Sequence, residues 1–240
     1  MDGMMIADLM IETADGSMRL YSAVPDGGAR RAVIVIQEAF GVNDHIEDVT
    51  RRFADAGYHA VAPALFHRAG GGTAPYDQFD KVLPLFEDLT DAGILMDVGA
   101  ALDHLHEQGF ADGSIAIVGF CMGGRVTFLV ALARRLGAAA GFYGGGIVTE
   151  RFPQFPPLIE RAGELQTPWL GLFGDLDGSI PVADVEVIRE RLATVDVPSE
   201  VVRYPDADHG FHCDARPSFN AEASTDAWAR TLAWFEEHLT

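Results

Sequence analysis

The stretch Ser114–Gly124, SIAIVGFCMGG, restricts this chain more than any other. Ile115–Val118 is an unbroken apolar run, the pattern of a strand buried on both faces. It passes through Gly119-Phe120-Cys121-Met122-Gly123-Gly124 into a helical run over Arg125–Leu136. A strand, a sharp turn and a helix around Gly-x-Cys-x-Gly make a nucleophile elbow, with cysteine where serine is commoner. The flanking glycines have a steric reason, because Cβ atoms there would collide with the strand and the helix. Cys121 then stands at a helix N-terminus, where the dipole and free N–H groups favour a thiolate. The structural alternative is a cysteine packed as a small hydrophobe.

The rest of the chain alternates strands with helices. Met4–Glu12 and Ser17–Val24 read as an antiparallel hairpin around Ala14-Asp15-Gly16. Ala32–Ile36, Tyr58–Ala62, Ala138–Tyr143, Thr167–Phe173 and Glu200–Tyr204 read as further strands. Helices are predicted from Asn43 to Ala56, over Asp91–Gln108, from Pro181 to Thr194 and over Glu222–His238. Residues 64–90 carry Gly70-Gly71-Gly72, Pro75 and a poor helix over Asp77–Leu89 interrupted by Pro84. That segment is expected to be a lid or substrate-binding insertion. The whole implies one α/β domain over residues 1–240, with a mostly parallel, doubly wound sheet flanked by helices.

The charge balance narrows the partners. A net charge of −19, with Lys81 the only lysine, argues against nucleic acid or an anionic membrane surface. No apolar run reaches the length of a membrane span, and the acidic, interrupted N-terminus does not read as a signal peptide. Cys121 and Cys213 are too few for a disulfide framework, and a reactive thiol suits a reducing compartment. The expectation is a cytoplasmic protein, a monomer or small homo-oligomer, acting on a small molecule.

Three loops beyond strand ends carry Cys121, Asp177 and His209, in the order nucleophile, acid, histidine. A thiol is mostly protonated at neutral pH, so His209 is needed to take its proton. A carboxylate must hold the other imidazole nitrogen, and Asp177 is preferred to Asp175, which suits a turn. His212 competes with His209 but is expected to point elsewhere. The oxyanion donors are expected to be the N–H of Met122 and that of Ala39, in the loop after Ala32–Ile36. A metal reading of Asp206, Asp208, His209, His212, Cys213 and Asp214 lacks a recognised zinc spacing, so neither metal nor cofactor is expected.

With these residues in place, the sequence resembles the dienelactone hydrolase family of the α/β-hydrolases (carboxymethylenebutenolidases and relatives). The matching pieces are Gln37-Glu38-Ala39-Phe40-Gly41, Ala62-Pro63-Ala64-Leu65-Phe66, Gly119–Gly124, Gly141-Phe142-Tyr143-Gly144, Gly174-Asp175-Leu176-Asp177 and His209-Gly210-Phe211. The resemblance implies a Cys121/His209/Asp177 triad, an oxyanion hole from Met122 and Ala39, and hydrolysis of an ester or lactone through an acyl-enzyme. It also implies that Glu38 holds the thiol at rest until substrate displaces it. Two arginines with which that family grips a carboxylate lack counterparts. Cys213 stands at one position, and no arginine occurs between Arg68 and Arg125. Arg68 and Lys81 are the candidate substitutes, though neither falls at a matching position, with Phe40, Tyr143 and Phe211 as candidate pocket residues. A ligand-binding or thiol-sensing protein on the same fold is the alternative function.

Overall fold

The computed structural model describes residues 3–240. Eight strands form one sheet in the order β1-β2-β4-β3-β5-β6-β7-β8. β1 (Met4–Thr13) and β2 (Gly16–Pro25) are the expected hairpin, paired from Thr13↔Gly16 to Met4↔Pro25. Gly16, at φ +125°, takes the positive-φ turn position that other residues avoid. β2 runs antiparallel to β4 (His59–Pro63), and every later pairing is parallel.

The central strands β3 (Ala32–Ile36), β5 (Ile115–Phe120), β6 (Ala138–Phe142) and β7 (Trp169–Gly174) are buried throughout, as their unalternating apolar sequences require. β8 (Ser199–Tyr204) closes the far edge. At the near edge, β1 leaves Met5, Ile6 and Met10 exposed.

Local signals set the helix ends. The Asn43 carboxamide accepts from the Ile46 N–H at 3.2 Å and starts α1 (Asp44–Asp55), and Gly57 at φ +93° follows its end. α2 is only Leu83–Phe86, preceded by a 3₁₀ turn over Phe79–Lys81. Pro84 sits in the first turn of this helix, where its missing N–H costs little, and does not interrupt a longer one. α3 (Asp91–Glu107) is capped by Thr90.

α4 (Met122–Ala133) begins immediately after Cys121, three residues before the expected Arg125. Gly123 and Gly124 disfavour a helix by propensity, but close packing overrides that preference. α5 (Val182–Leu192) uses Pro181 as its cap and not as its first residue, and α6 (Ala221–His238) packs across β6 and β7. Among the described residues no helix is long and apolar enough to cross a membrane.

Candidate active site

Because β3, β5, β6, β7 and β8 run parallel, their C-terminal ends lie along the same edge of the sheet. At the end of β5, Cys121 adopts φ +56° and ψ −114°, a strained conformation for a residue with a side chain. It holds because three glycines let backbones touch. A Cβ on Gly119 would lie 2.2 Å from the Gly123 carbonyl oxygen. One on Gly123 would lie 2.5 Å from that of Ile36, and one on Gly124 2.4 Å from that of Phe142. The Cys121 N–H donates to the Phe142 carbonyl at 3.0 Å, fixing the turn against β6.

Asp177, after β7, is buried. Its Oδ1 accepts from the Ser179 N–H, the Ser179 hydroxyl and the Ile180 N–H at 2.8, 2.6 and 3.2 Å. Its Oδ2 lies 2.7 Å from His209 Nδ1. Burial opposes the carboxylate, but His209 and Ser179 outweigh it and hold the group below the usual range. Nδ1 is thereby the donor to Asp177, leaving Nε2 for the thiol side.

His209 and Cys121 line the same cavity. Burial disfavours both charged forms, yet each stabilises the other. The His209 imidazole is pushed up by the Cys121 thiolate and by Asp177, and the Cys121 thiol is brought down by His209. Both shifts favour the thiolate–imidazolium form of the pair.

Glu38, in the turn after β3, is fully buried. Its Oε1 accepts from Arg216 Nη1 at 3.3 Å, and its Oε2 has no partner. Its charge works against the Cys121 thiolate, while Arg216 works for it. Met122, the first residue of α4, has an N–H with no carbonyl one turn behind it, and Ala39 lines the cavity beside Cys121.

The cavity encloses about 280 Å³. Phe40, Tyr76, Phe79, Phe86, Phe152 and Phe155 form its aromatic wall. The 64–90 segment supplies Tyr76, Phe79 and Phe86 to this lining. Phe152 and Phe155 come from the proline-rich loop after β6, which the sequence did not single out.

Three arginines reach the cavity: Arg125, Arg151 and Arg216. Arg125 is held bidentately by Asp91, at 2.6 and 3.0 Å, and also donates to the Pro156 carbonyl. Arg216 lies against Glu38 and over the rings of Phe40 and Tyr76.

Arg68 does not line this cavity. Its guanidinium pairs with Asp97 at 2.7 and 2.9 Å and with Asp15 at 2.8 Å, which pins it between α3 and the β1–β2 turn. Arg216 is the cation that the sequence reading missed. Successive turns bring it back to the site, with the Cys213 N–H donating to Gly210 and the Arg216 N–H to Cys213. Its guanidinium lies over Gly210, where a Cβ would meet Nη1 at 2.5 Å.

Tyr143 and Phe211 are fully buried behind the cavity, outside its lining. The Tyr143 ring packs edge-on to His209 with centroids 5.1 Å apart, and its own φ is +39°. Phe211 packs against Tyr143 and Tyr204.

His212 does point elsewhere. It bonds to Ser224 at 2.9 Å and stacks between Phe120 and Trp228. Asp175 pairs with Arg203 at 2.7 Å. The acidic and histidine run from Asp206 to Asp214 therefore scatters, with His209 and His212 serving different neighbours.

A sequence profile described as "Dienelactone hydrolase family" matches residues 18–239. A protein of Yersinia pestis named "Putative carboxymethylenebutenolidase" is 36% identical over 241 residues, covering 98% of this chain and 90% of that one. The carboxymethylenebutenolidase of Pseudomonas sp. strain P51 is 29% identical over 221 residues, covering 90% and 89%. A crystal structure from Klebsiella pneumoniae, titled as a "Putative Dienelactone Hydrolase", superimposes with a TM-score of 0.89 at 36% identity, covering 98% of this chain and all of that one. With its sheet order, its elbow and these likenesses, the chain belongs to the dienelactone hydrolase family and has the α/β-hydrolase fold.

Proposed function

We propose that this protein is a cysteine-dependent hydrolase that cleaves a small ester or lactone through a covalent acyl-enzyme. The observation that carries the reading is the Asp177–His209 bond at 2.7 Å, in a cavity that His209 shares with the strained Cys121. The Cys121 thiolate attacks the acyl carbon, and the oxyanion that forms is met by the Met122 and Ala39 N–H groups. The His209 imidazolium gives its proton to the departing alkoxide. A water then attacks the thioester, giving a proton back to His209 and releasing the acid and the Cys121 thiolate, which restores the starting pair. Asp177 keeps the imidazole oriented throughout.

The wall of phenylalanines suits an apolar acyl or alcohol part. Arg216 gives a carboxylate-bearing substrate a partner, and such a group would compete with Glu38 for it. The 64–90 segment is, on this reading, the lid of a single domain. Quenching the reaction with an activated ester and weighing the protein tests the proposal. A mass increase of one acyl group on the Cys121 peptide is expected, and turnover with no adduct at any trapping time would refute it.

Glu38 sets the reactivity of the resting thiol. Removing its charge in Glu38→Gln leaves Arg216 unopposed beside Cys121, so the thiolate should persist to lower pH. Alkylation by iodoacetamide at neutral pH is expected to speed up about three- to tenfold, with its pH midpoint moved down. A midpoint that stays in place or rises would assign Glu38 a structural role only.

A further inference from the structure

Behind Cys121 a second cluster forms from residues far apart in the chain. Glu38, His45 and Cys213 are all buried, and one donor atom of each lies within 4.8 Å of the others. They come from the turn after β3, the second residue of α1 and the loop after β8. Two of them carry buried atoms without a partner, Glu38 Oε2 and His45 Nε2. A buried carboxylate oxygen and an imidazole nitrogen left open side by side call for a ligand that satisfies both.

We infer that Glu38, His45 and Cys213 form a binding site for a divalent ion of the zinc class. The mixed oxygen, nitrogen and sulfur donors fit zinc or cobalt, and do not fit calcium or magnesium, which take six or more oxygens. Three protein ligands leave a fourth position for water. A surface cleft lined by Asn43, Asp44, His45, Tyr76 and Ala215 gives a way in from solvent.

Without metal, the Cys213 thiol donates to the Tyr76 hydroxyl at 3.3 Å, and burial with the nearby Glu38 charge pushes it up to about 11. On binding, the ion replaces the thiol proton, which leaves to solvent, and Cys213 turns from Tyr76 to the metal. The ion also offsets the Glu38 charge that opposes the Cys121 thiolate.

Cobalt is the probe. Metal-free full-length protein, titrated anaerobically with Co²⁺, is expected to bind one equivalent. The signature is a near-ultraviolet thiolate-to-cobalt band with visible bands of four-coordination, all displaced by Zn²⁺. Cys213→Ser should lose the near-ultraviolet band, and Cys121→Ser should keep it. His45→Ala should weaken binding at least about tenfold, with His45→Gln in reserve if the alanine variant fails to fold by circular dichroism. Absence of saturable cobalt binding would overturn the site, as would a band that survives Cys213→Ser and vanishes in Cys121→Ser. None of these readouts depends on ester turnover.

Discussion

Replacing Cys121 with alanine is expected to lower ester turnover by about 10⁴-fold or more, to the level of the uncatalysed reaction plus binding. The size follows from the chemistry. On the proposed mechanism the sulfur is the attacking atom, and among the described residues no other nucleophile lines the cavity with a histidine behind it; the Ser179 hydroxyl is engaged with Asp177. The fold should survive, since the change removes one partly exposed atom from the mouth of a cavity and leaves the glycine contacts intact. Initial rates on a p-nitrophenyl ester, with circular dichroism and the thermal midpoint as controls, make the check. Undiminished turnover in a folded Cys121→Ala protein would end the nucleophile assignment, and with it the triad.

Gly123→Ala should affect the molecule in a different way. Its added methyl would sit 2.5 Å from the Ile36 carbonyl oxygen and 2.6 Å from that of Gln37, both main-chain atoms of the adjoining strand and its turn. Neither can rotate aside as a side-chain tip can. Relief requires β3 and the start of α4 to move apart, which opens the buried core between them. A loss of about 3 kcal/mol or more in unfolding free energy is expected. Denaturant unfolding followed by circular dichroism measures it. Gly163→Ala is the control, because nothing lies within 4 Å of that position. Equal stability of the two variants would show that the elbow tolerates a wider gap than its contacts indicate.

The elbow, the parallel sheet and the chain order of Cys121, Asp177 and His209 were legible because each rests on local sequence. An apolar run, a glycine spacing and a loop after a strand are visible without coordinates. The start of α4 was misplaced because two glycines lower helix propensity at the position where tertiary contact demands them. Arg216 was missed for a related reason. Its approach to Glu38 depends on a succession of tight turns between Gly210 and Phe219, and nothing in the spacing from His209 announces them. Arg68 looked available because its partners, Asp15 and Asp97, are distant in sequence. The Glu38, His45 and Cys213 grouping was invisible for the same reason, since only the closed sheet places those loops side by side.

The carbonyls that press on Gly123 belong to the end of β3 and the turn after it, so the awkward backbone of Cys121 is held partly by a strand distant in sequence. A nascent or partly unravelled chain in which β3 and the start of α4 have not yet met lacks that constraint on Cys121. The geometry of the elbow is therefore tied to completion of the central sheet.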